Sequence, residues 1–177
     1  MIFSIGHSNH SMAHFLDLLR QHQIQEVGDV RSVPFSRHAP HFGRRRLEQS
    51  LVEAGITYLY LGHELGGRPV EEEFYDQDGH VLYGRLAATP GFQAGMDRLL
   101  DAAGDQTTAV MCAEEDPASC HRTRLIGRVL KERGIELRHI RGNGSLEEGA
   151  TAGQLSLLSP DDAAWRSLRP VPRPRQS

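Results

Sequence analysis

The chain has 177 residues, of which 38% are hydrophobic and 24% charged, and its formal net charge is −3. These values are typical of one globular domain with a sizeable core, and they exclude a strongly basic nucleic-acid-binding protein, although basic residues can still cluster locally. No apolar run approaches the roughly 20 residues that cross a bilayer, and the N-terminus lacks the pattern of a secretory signal. We therefore expect a cytoplasmic protein that makes no contact with a membrane.

Short apolar runs alternate with helical patterns along the chain. Five runs predict strands, at residues 2–5, 27–30, 57–61, 107–112 and 135–140. Between them, apolar residues recur at helical spacing, with Ser11 as an N-cap and with Gly55 and Gly134 as helix ends. This alternation predicts an α/β domain with three Rossmann-like layers and a mostly parallel sheet of about five strands.

Two segments do not fit the alternation. Residues 62–84 are rich in Gly and acidic side chains and show no period, which predicts a long loop or lid after the third strand. After residue 158 the chain becomes polar and then rich in Pro and Arg, and Pro blocks regular structure. We expect a single α/β domain over residues 1–158 and a disordered or surface-draped tail over residues 159–177.

Polar residues follow four of the predicted strands, at the point where each strand ends. Ligands of open parallel sheets bind beyond the carboxyl ends of the strands, so these four segments are expected to meet in one crevice. The Gly66–Gly67 pair also indicates a turn that needs positive φ. The candidate residues are His7 and Ser8, Asp29 and Arg31, Gly66 and Gly67, and Cys112 and Glu114.

The segment that follows the fourth strand is the richest of the four. Asp116 followed by Pro117 predicts a helix start, with Asp as the cap. Arg122 near this helix N-terminus would anchor an anion, and Arg31 would reinforce it from the neighbouring strand. In the structural alternative, Asp116 only caps the helix, and Arg122 pairs with Asp29 to tie the helix to the sheet.

The same crevice offers acid–base groups. Glu114 or Asp29 would serve as general base, or would stabilise positive charge during cleavage of a glycosidic bond. His7 or His121 would carry a proton near neutral pH. Cys112 would be a nucleophile only beside a cation, and the phosphatase loop, in which five residues separate Cys from Arg, is absent.

The two cysteines raise the alternative of a metal site. Cys112, Cys120 and His121 are the ligands that zinc or iron would use, and His7 and Asp29 add further donors. Seven residues separate the cysteines, and this matches no familiar zinc spacing. The sequence alone therefore assigns no metal, and a small buried filler is the simpler interpretation of Cys120.

Several of these residues stand in a recognisable order. Ser4 to Ser8, Asp29-Val30-Arg31, Leu65-Gly66-Gly67 and Cys112-x-Glu114 precede the block Asp116-Pro117-x-x-Cys120-His121-Arg122. From Ile2 to about Ile140 the chain resembles the prokaryotic domain-of-unknown-function family 488 (DUF488). The resemblance implies a Rossmann-like α/β domain and no settled activity. By it, the pattern residues are Gly6, His7, Ser8, Asp29, Arg31, Gly66, Gly67, Cys112, Glu114, Cys120, His121 and Arg122.

Three functions remain open from the sequence. The first is a hydrolase- or glycosylase-like enzyme that acts on a nucleotide or a nucleic-acid base, as in repair or modification. Phe35 or Phe42 would then stack on the base, and Arg37-His38 and Arg44–Arg46 would contact the backbone. The second is a zinc or iron enzyme, and the third is a non-catalytic module that senses a nucleotide or nucleic acid. The expected partner is a phosphate-bearing small molecule or a nucleic acid. The sequence identifies neither a cofactor nor an oligomeric state.

Overall fold

A computed structural model describes residues 1–149 and 165–173. A six-stranded sheet of order β3-β2-β4-β1-β5-β6 forms its centre. β1 to β5 run parallel, and β6 pairs antiparallel with β5 at one edge. The predicted α/β class with a mostly parallel sheet is confirmed, with six strands in place of about five. The strands are β1 Ile2–Gly6, β2 Glu26–Asp29, β3 Thr57–Tyr60, β4 Thr108–Cys112, β5 Leu137–Ile140 and β6 Leu146–Glu148.

Helices fill most of the connections between the strands. Ser11 caps the first helix as predicted, because its Oγ accepts a hydrogen bond from His14 N at 3.2 Å. In the described parts of the chain, no helix is both long and apolar enough to cross a membrane. The helices are α1 Met12–Gln21, α2 Arg44–Glu53, α3 Gly62–Leu65, α4 Tyr83–Ala87, α5 Pro90–Asp105 and α6 Arg128–Glu132, with 3-10 turns at Pro40–Phe42 and Glu72–Phe74 and a π-helical segment at Arg122–Gly127.

Alternate side chains of the strands enter two separate cores, one on each face of the sheet. In β4, Val110 and Cys112 belong to one cluster, which α5 and α6 cover, whereas Ala109 and Met111 belong to the other, which α1 and α2 cover. Strands buried on both faces are expected when helices connect parallel strands. The finer comparison with Rossmann-like domains stays a prediction.

The structure differs from the sequence analysis at two places in this fold. β6 was not predicted, because three exposed residues carry no alternation and the strand exists only through its pairing with β5. The segment 62–84 is not an open loop, because it contains α3, a 3-10 turn and the start of α4, and both Leu65 and Val81 are fully buried. The boundary at residue 158 falls outside the described residues, so the two-part division of the chain stays a prediction.

The parallel register places the ends of three neighbouring strands side by side. Gly6 at the end of β1 pairs with Cys112 at the end of β4, and Asp29 at the end of β2 pairs with Met111. The chain therefore leaves β1, β2 and β4 at the same edge of the sheet, and the polar residues that follow these strands lie close together.

A buried polar network lies beneath this edge. Ser4 Oγ lies 2.6 Å from His139 Nδ1 and accepts from the Arg122 guanidinium at 3.4 Å, which leaves the hydroxyl proton for the imidazole. His139 Nε2 then lies 3.3 Å from Thr123 Oγ1. Burial, and then the positive charges of Arg122 and Arg141, lower the pKa of His139 to about 4.

Acid should therefore destabilise the metal-free protein through His139. In the unfolded chain, His139 is protonated below its ordinary pKa of 6.5. In the folded chain, it is protonated only when the pH falls to about 4. The stabilisation is complete above 6.5 and is lost as the pH falls through this window, up to about 3 kcal/mol. Urea unfolding in the presence of a chelator measures it. His139→Gln should flatten the slope, whereas His38→Gln, at an exposed position, should keep it; equal slopes in all three proteins would contradict the assignment.

Candidate metal centre

A cavity of about 480 Å³ opens at the carboxyl ends of β1, β2 and β4. His7 after β1, Arg31 after β2, Gly67 after α3 and Cys112 at the end of β4 all line it. The four segments that the sequence predicts to meet are thus placed on one cavity. Residues 167–172 form a further wall that the sequence did not predict.

Two buried thiols and one imidazole lie close together on another part of the cavity lining. His121 Nδ1 lies 3.7 Å from Cys112 Sγ and 3.6 Å from Cys120 Sγ. The three ligand atoms lie within 4.8 Å of one another, and no other group of three such side chains is found in the described residues.

These distances fit a zinc ion. Zn–S bonds of about 2.3 Å and Zn–N bonds of about 2.05 Å at tetrahedral angles give S–N separations of about 3.6 Å. The two observed S–N distances of 3.7 and 3.6 Å match that edge of the tetrahedron. The thiolate and imidazole donors are also the types that zinc prefers.

The orientation of His121 is fixed by its other nitrogen. His121 Nε2 lies 3.1 Å from the main-chain oxygen of Val30, which can only accept, so Nε2 carries the proton and donates it. Nδ1 is then left with a free lone pair toward the two sulfurs. A histidine that binds a metal commonly donates its second N–H to a backbone carbonyl in this way.

Glu114 lies beside the same three groups. Its Oε2 is 2.8 Å from Cys112 Sγ and 3.4 Å from Cys120 Sγ, and the residue is exposed. Desolvation raises the pKa of Glu114, but the thiol hydrogen bond from Cys112 and a bond from its own main-chain N–H outweigh this, so its pKa lies below the usual value. An ionised carboxylate therefore faces the cavity next to the candidate ligands.

The pKa of Cys112 is shifted away from that of a reactive thiolate. The hydrogen bond with Cys120, and then burial, raise the pKa of Cys112 well above its usual value. Burial lowers the pKa of His121, but the attraction of Cys112 and Glu114 outweighs it and raises the pKa. Without a cation between them, Cys112 is a protonated thiol, which is unsuited to nucleophilic catalysis.

The family model described as "Domain of unknown function DUF488" matches residues 11–129, about two thirds of the chain. The chain belongs to this family. The matched range contains all three candidate ligands and Glu114, whereas His7 and Ser8 precede it and the cavity wall formed by residues 167–172 follows it. Searches of curated proteins and of solved structures give no match.

In this DUF488 chain, His7 and Asp29 have structural surroundings that differ from the predicted roles. Asp29 is fully buried and accepts both Arg31 Nε and Arg31 NH2, at 2.9 and 2.7 Å, together with the Tyr58 hydroxyl. It is saturated and does not line the cavity, so it is not placed as a general base. His7 Nε2 accepts from Arg31 NH1 at 3.1 Å, and Nδ1 donates to Ser8 O.

His7 is therefore not a proton carrier near neutral pH. Burial, and then the charge of Arg31, lower its pKa to about 4, so the ring is neutral. Its ring stacks on Phe42 at 4.4 Å between centroids, and Phe42 is fully buried, which rules Phe42 out as a platform for a base. Phe35, by contrast, is 64% exposed and lines the cavity. Ser8 does not line the cavity; its main-chain N–H donates to Ala113 O.

Arg122 is the clearest departure from the sequence interpretation. Its guanidinium is fully buried and donates to the carbonyl oxygens of Glu114 and Glu115, at 2.6 and 2.7 Å, and does not reach the cavity. It neither anchors an anion nor pairs with Asp29. The helix also starts later than predicted, at Arg122, because Asp116 Oδ1 accepts from Ala118 N in a local turn.

The Gly66–Gly67 pair serves close packing and not a positive φ. Neither residue has positive φ. A Cβ on Gly67 would lie 2.6 Å from His121 Cγ, and a Cβ on Gly66 would lie 2.3 Å from Ser32 Oγ. Gly67 therefore allows the imidazole to lie close to the main chain, and only Gly67 of the pair lines the cavity.

Gly67→Ala should displace the His121 ring and lower stability. The new methyl group would overlap Cγ of a side chain that its Val30 hydrogen bond holds in place. We expect a loss of about 1–3 kcal/mol in the free energy of unfolding. Gly91→Ala, with nothing within 4 Å of the new Cβ, should be neutral or slightly stabilising. Urea titration of both variants makes the comparison, and equal stabilities would show that His121 moves freely.

Proposed function

We propose that this DUF488 protein is a zinc-dependent hydrolytic enzyme that acts on a nucleotide-type substrate. The observation that supports it most directly is the convergence of Cys112 Sγ, Cys120 Sγ and His121 Nδ1, at zinc-ligand spacing, on the wall of a cavity. Structural zinc sites are closed by four protein ligands, whereas catalytic sites keep three and leave one position open. The three ligand residues line the cavity, which leaves room for a substrate beside them.

Each residue of the centre has a defined task in this proposal. Cys112, Cys120 and His121 would hold the zinc, and Val30 O would orient His121. Bound zinc supplies Lewis acidity, which brings the pKa of a coordinated water to about 7. Glu114, exposed and already ionised beside the sulfurs, would take a proton from water and return it to the leaving group.

The combination of ligands favours one reaction over other hydrolyses. Nucleobase deaminases hold zinc with histidine and cysteine side chains, and a glutamate that is not a ligand moves the protons. In those enzymes the glutamate stands two residues after a histidine ligand, and here Glu114 stands two residues after the candidate ligand Cys112. Deamination adds water to an amino-substituted ring carbon and gives a ring carbonyl and ammonia, and Glu114 would carry one proton from the water to the departing nitrogen. Phe35 would stack on the ring.

Zinc should bind in a one-to-one ratio and depend on the three ligands. We expect Cys120→Ser and His121→Asn each to weaken zinc binding by more than about 100-fold, since each removes a bond to the metal. His63→Asn, at an exposed position, is the matched control. Competition with a chromophoric chelator gives the affinity. In the cobalt-substituted protein, Cys120→Ser should remove about half of the thiolate-to-metal charge-transfer absorption. A wild-type protein that takes up no stoichiometric metal would overturn the proposal.

Glu114→Gln should separate metal binding from catalysis. The amide keeps the shape of the side chain but cannot accept the proton, so we expect zinc affinity to stay near the wild-type value and ammonia release from nucleoside monophosphates to fall at least 100-fold. Glu115→Gln, one residue away, is the control. If Glu114→Gln loses zinc as completely as Cys120→Ser, then Glu114 is a fourth ligand and the site is structural. Bound nucleotide that the wild-type protein never alters would favour a sensing module.

A further inference from the structure

The cavity has a wall built from the far end of the chain. Residues 165–173, here called the C-terminal strap, contribute Ser167, Leu168, Arg169, Pro170, Val171 and Pro172 to its lining. The family match ends at residue 129, so this wall is an addition to the part that carries the candidate metal ligands.

The C-terminal strap is firmly attached to the domain. Trp165 is buried in the core, its Nε1 donates to Arg124 O at 2.7 Å, and the Arg128 guanidinium lies 3.9 Å above its ring. Ser167 N donates to Val81 O, and Ser167 Oγ accepts from Val81 N, both at 2.9 Å. The strap therefore holds a defined position beside the cavity.

The arginines of the strap differ in whether they form an ion pair and in whether they line the cavity. Arg166 pairs with Asp76, and Arg173 pairs with Glu72 and lies over the ring of Tyr75. Arg169 lines the cavity and has no ion pair or side-chain hydrogen bond among residues 1–149 and 165–173. Within the described ranges, Arg169 is the one strap arginine without a carboxylate partner, and it is the one that lines the cavity.

Arg68 is a second arginine that lines the cavity without a described ion pair. It is exposed, lines the cavity, and its guanidinium has no hydrogen bond or ion pair within the described ranges. Its main-chain N–H donates to Ser32 Oγ at 2.9 Å, and Ser36 Oγ accepts from Ala39 N at 3.2 Å. Both serine hydroxyls line the cavity with protons that no described residue accepts, so they add hydrogen-bond donors beside the arginines.

We propose that Arg68 and Arg169 form an anion subsite that binds the phosphate of an organic phosphomonoester. Two guanidinium groups match the charge of about −2 that a phosphomonoester carries at pH 7, whereas a carboxylate carries only one. The exposed side chains of Phe35 and Leu168, which line the same cavity, would contact the organic part. The subsite rests on the proposed function for its role in catalysis, but the binding itself does not require zinc.

Calorimetric titration with phenyl phosphate, inorganic phosphate and benzoate tests the subsite. We expect phenyl phosphate to bind most tightly, and Arg68→Ala and Arg169→Ala each to weaken it about 10-fold or more, as for loss of a charge-assisted hydrogen bond. Arg169→Lys should fall between, because it keeps the charge and loses the fork. Arg173→Ala, in the same strap but off the cavity, should bind like wild type.

The outcomes distinguish this subsite from the metal centre. Titration of chelator-treated protein and of Cys120→Ser should still show phenyl phosphate binding that depends on Arg169. Binding that vanishes without zinc would place the phosphate on the metal and overturn the subsite while leaving the enzyme proposal intact. Unchanged binding in both alanine variants would also overturn it, as would benzoate or inorganic phosphate binding as tightly as phenyl phosphate.

Discussion

The candidate site depends on a buried cation that has no acidic partner among the described residues. Arg122 is fully buried, and burial of a charge is costly unless hydrogen bonds replace water. The carbonyl oxygens of Glu114 and Glu115 supply these bonds at 2.6 and 2.7 Å. The loop after β4 is thereby folded back onto the helix that follows it. This fold brings Cys112, at one end of the loop, to Cys120 and His121 at the other.

Small residues and an unusual helix accommodate that loop. Gly6 is required beside it, since a Cβ there would lie 1.8 Å from Glu114 O. The helix opens as a π-helical segment, Arg122–Gly127, and such segments are frequent at functional sites. His139 and Ser4 support the guanidinium from below. The geometry of the three candidate ligands is thus set by main-chain and core contacts.

The sequence predicts the strands and the place of the site better than the partners within it. β1 to β5 are apolar runs between helical patterns, and the ends of parallel strands share one edge, so convergence follows from topology alone. Side-chain pairing does not follow from topology. Asp29 pairs with Arg31, two residues away, and not with Arg122, because the backbone geometry at the strand end brings Asp29 and Arg31 together. The rule that Asp-Pro opens a helix also misplaced the start, since Asp116 instead closes a turn.

The candidate metal ligands show why spacing rules can mislead. Familiar zinc motifs place two cysteines on one tight turn, and seven residues between Cys112 and Cys120 do not fit them. Here Cys112 ends a strand and Cys120 lies just before the next helix, so the intervening loop, and not a single tight turn, sets their distance. The useful signal was the adjacent Cys120-His121 pair facing a cysteine at a strand end. The carbonyl of Val30, which orients the imidazole, cannot be predicted from the pattern of side chains.

Two regions of the chain contribute side chains to the lining of this cavity. The part that matches the family holds Cys112, Glu114, Cys120 and His121, and it also contains Arg68. The C-terminal strap lies outside that match and adds Arg169, which has no ion pair among the residues that the structure describes. Because the strap meets the domain through Trp165 and Ser167, we expect a change at Arg169 to leave the geometry of the candidate ligands in place. In our proposals, reaction type is set by residues of the family-matching part alone, whereas substrate choice draws on both parts, through Arg68 and Arg169.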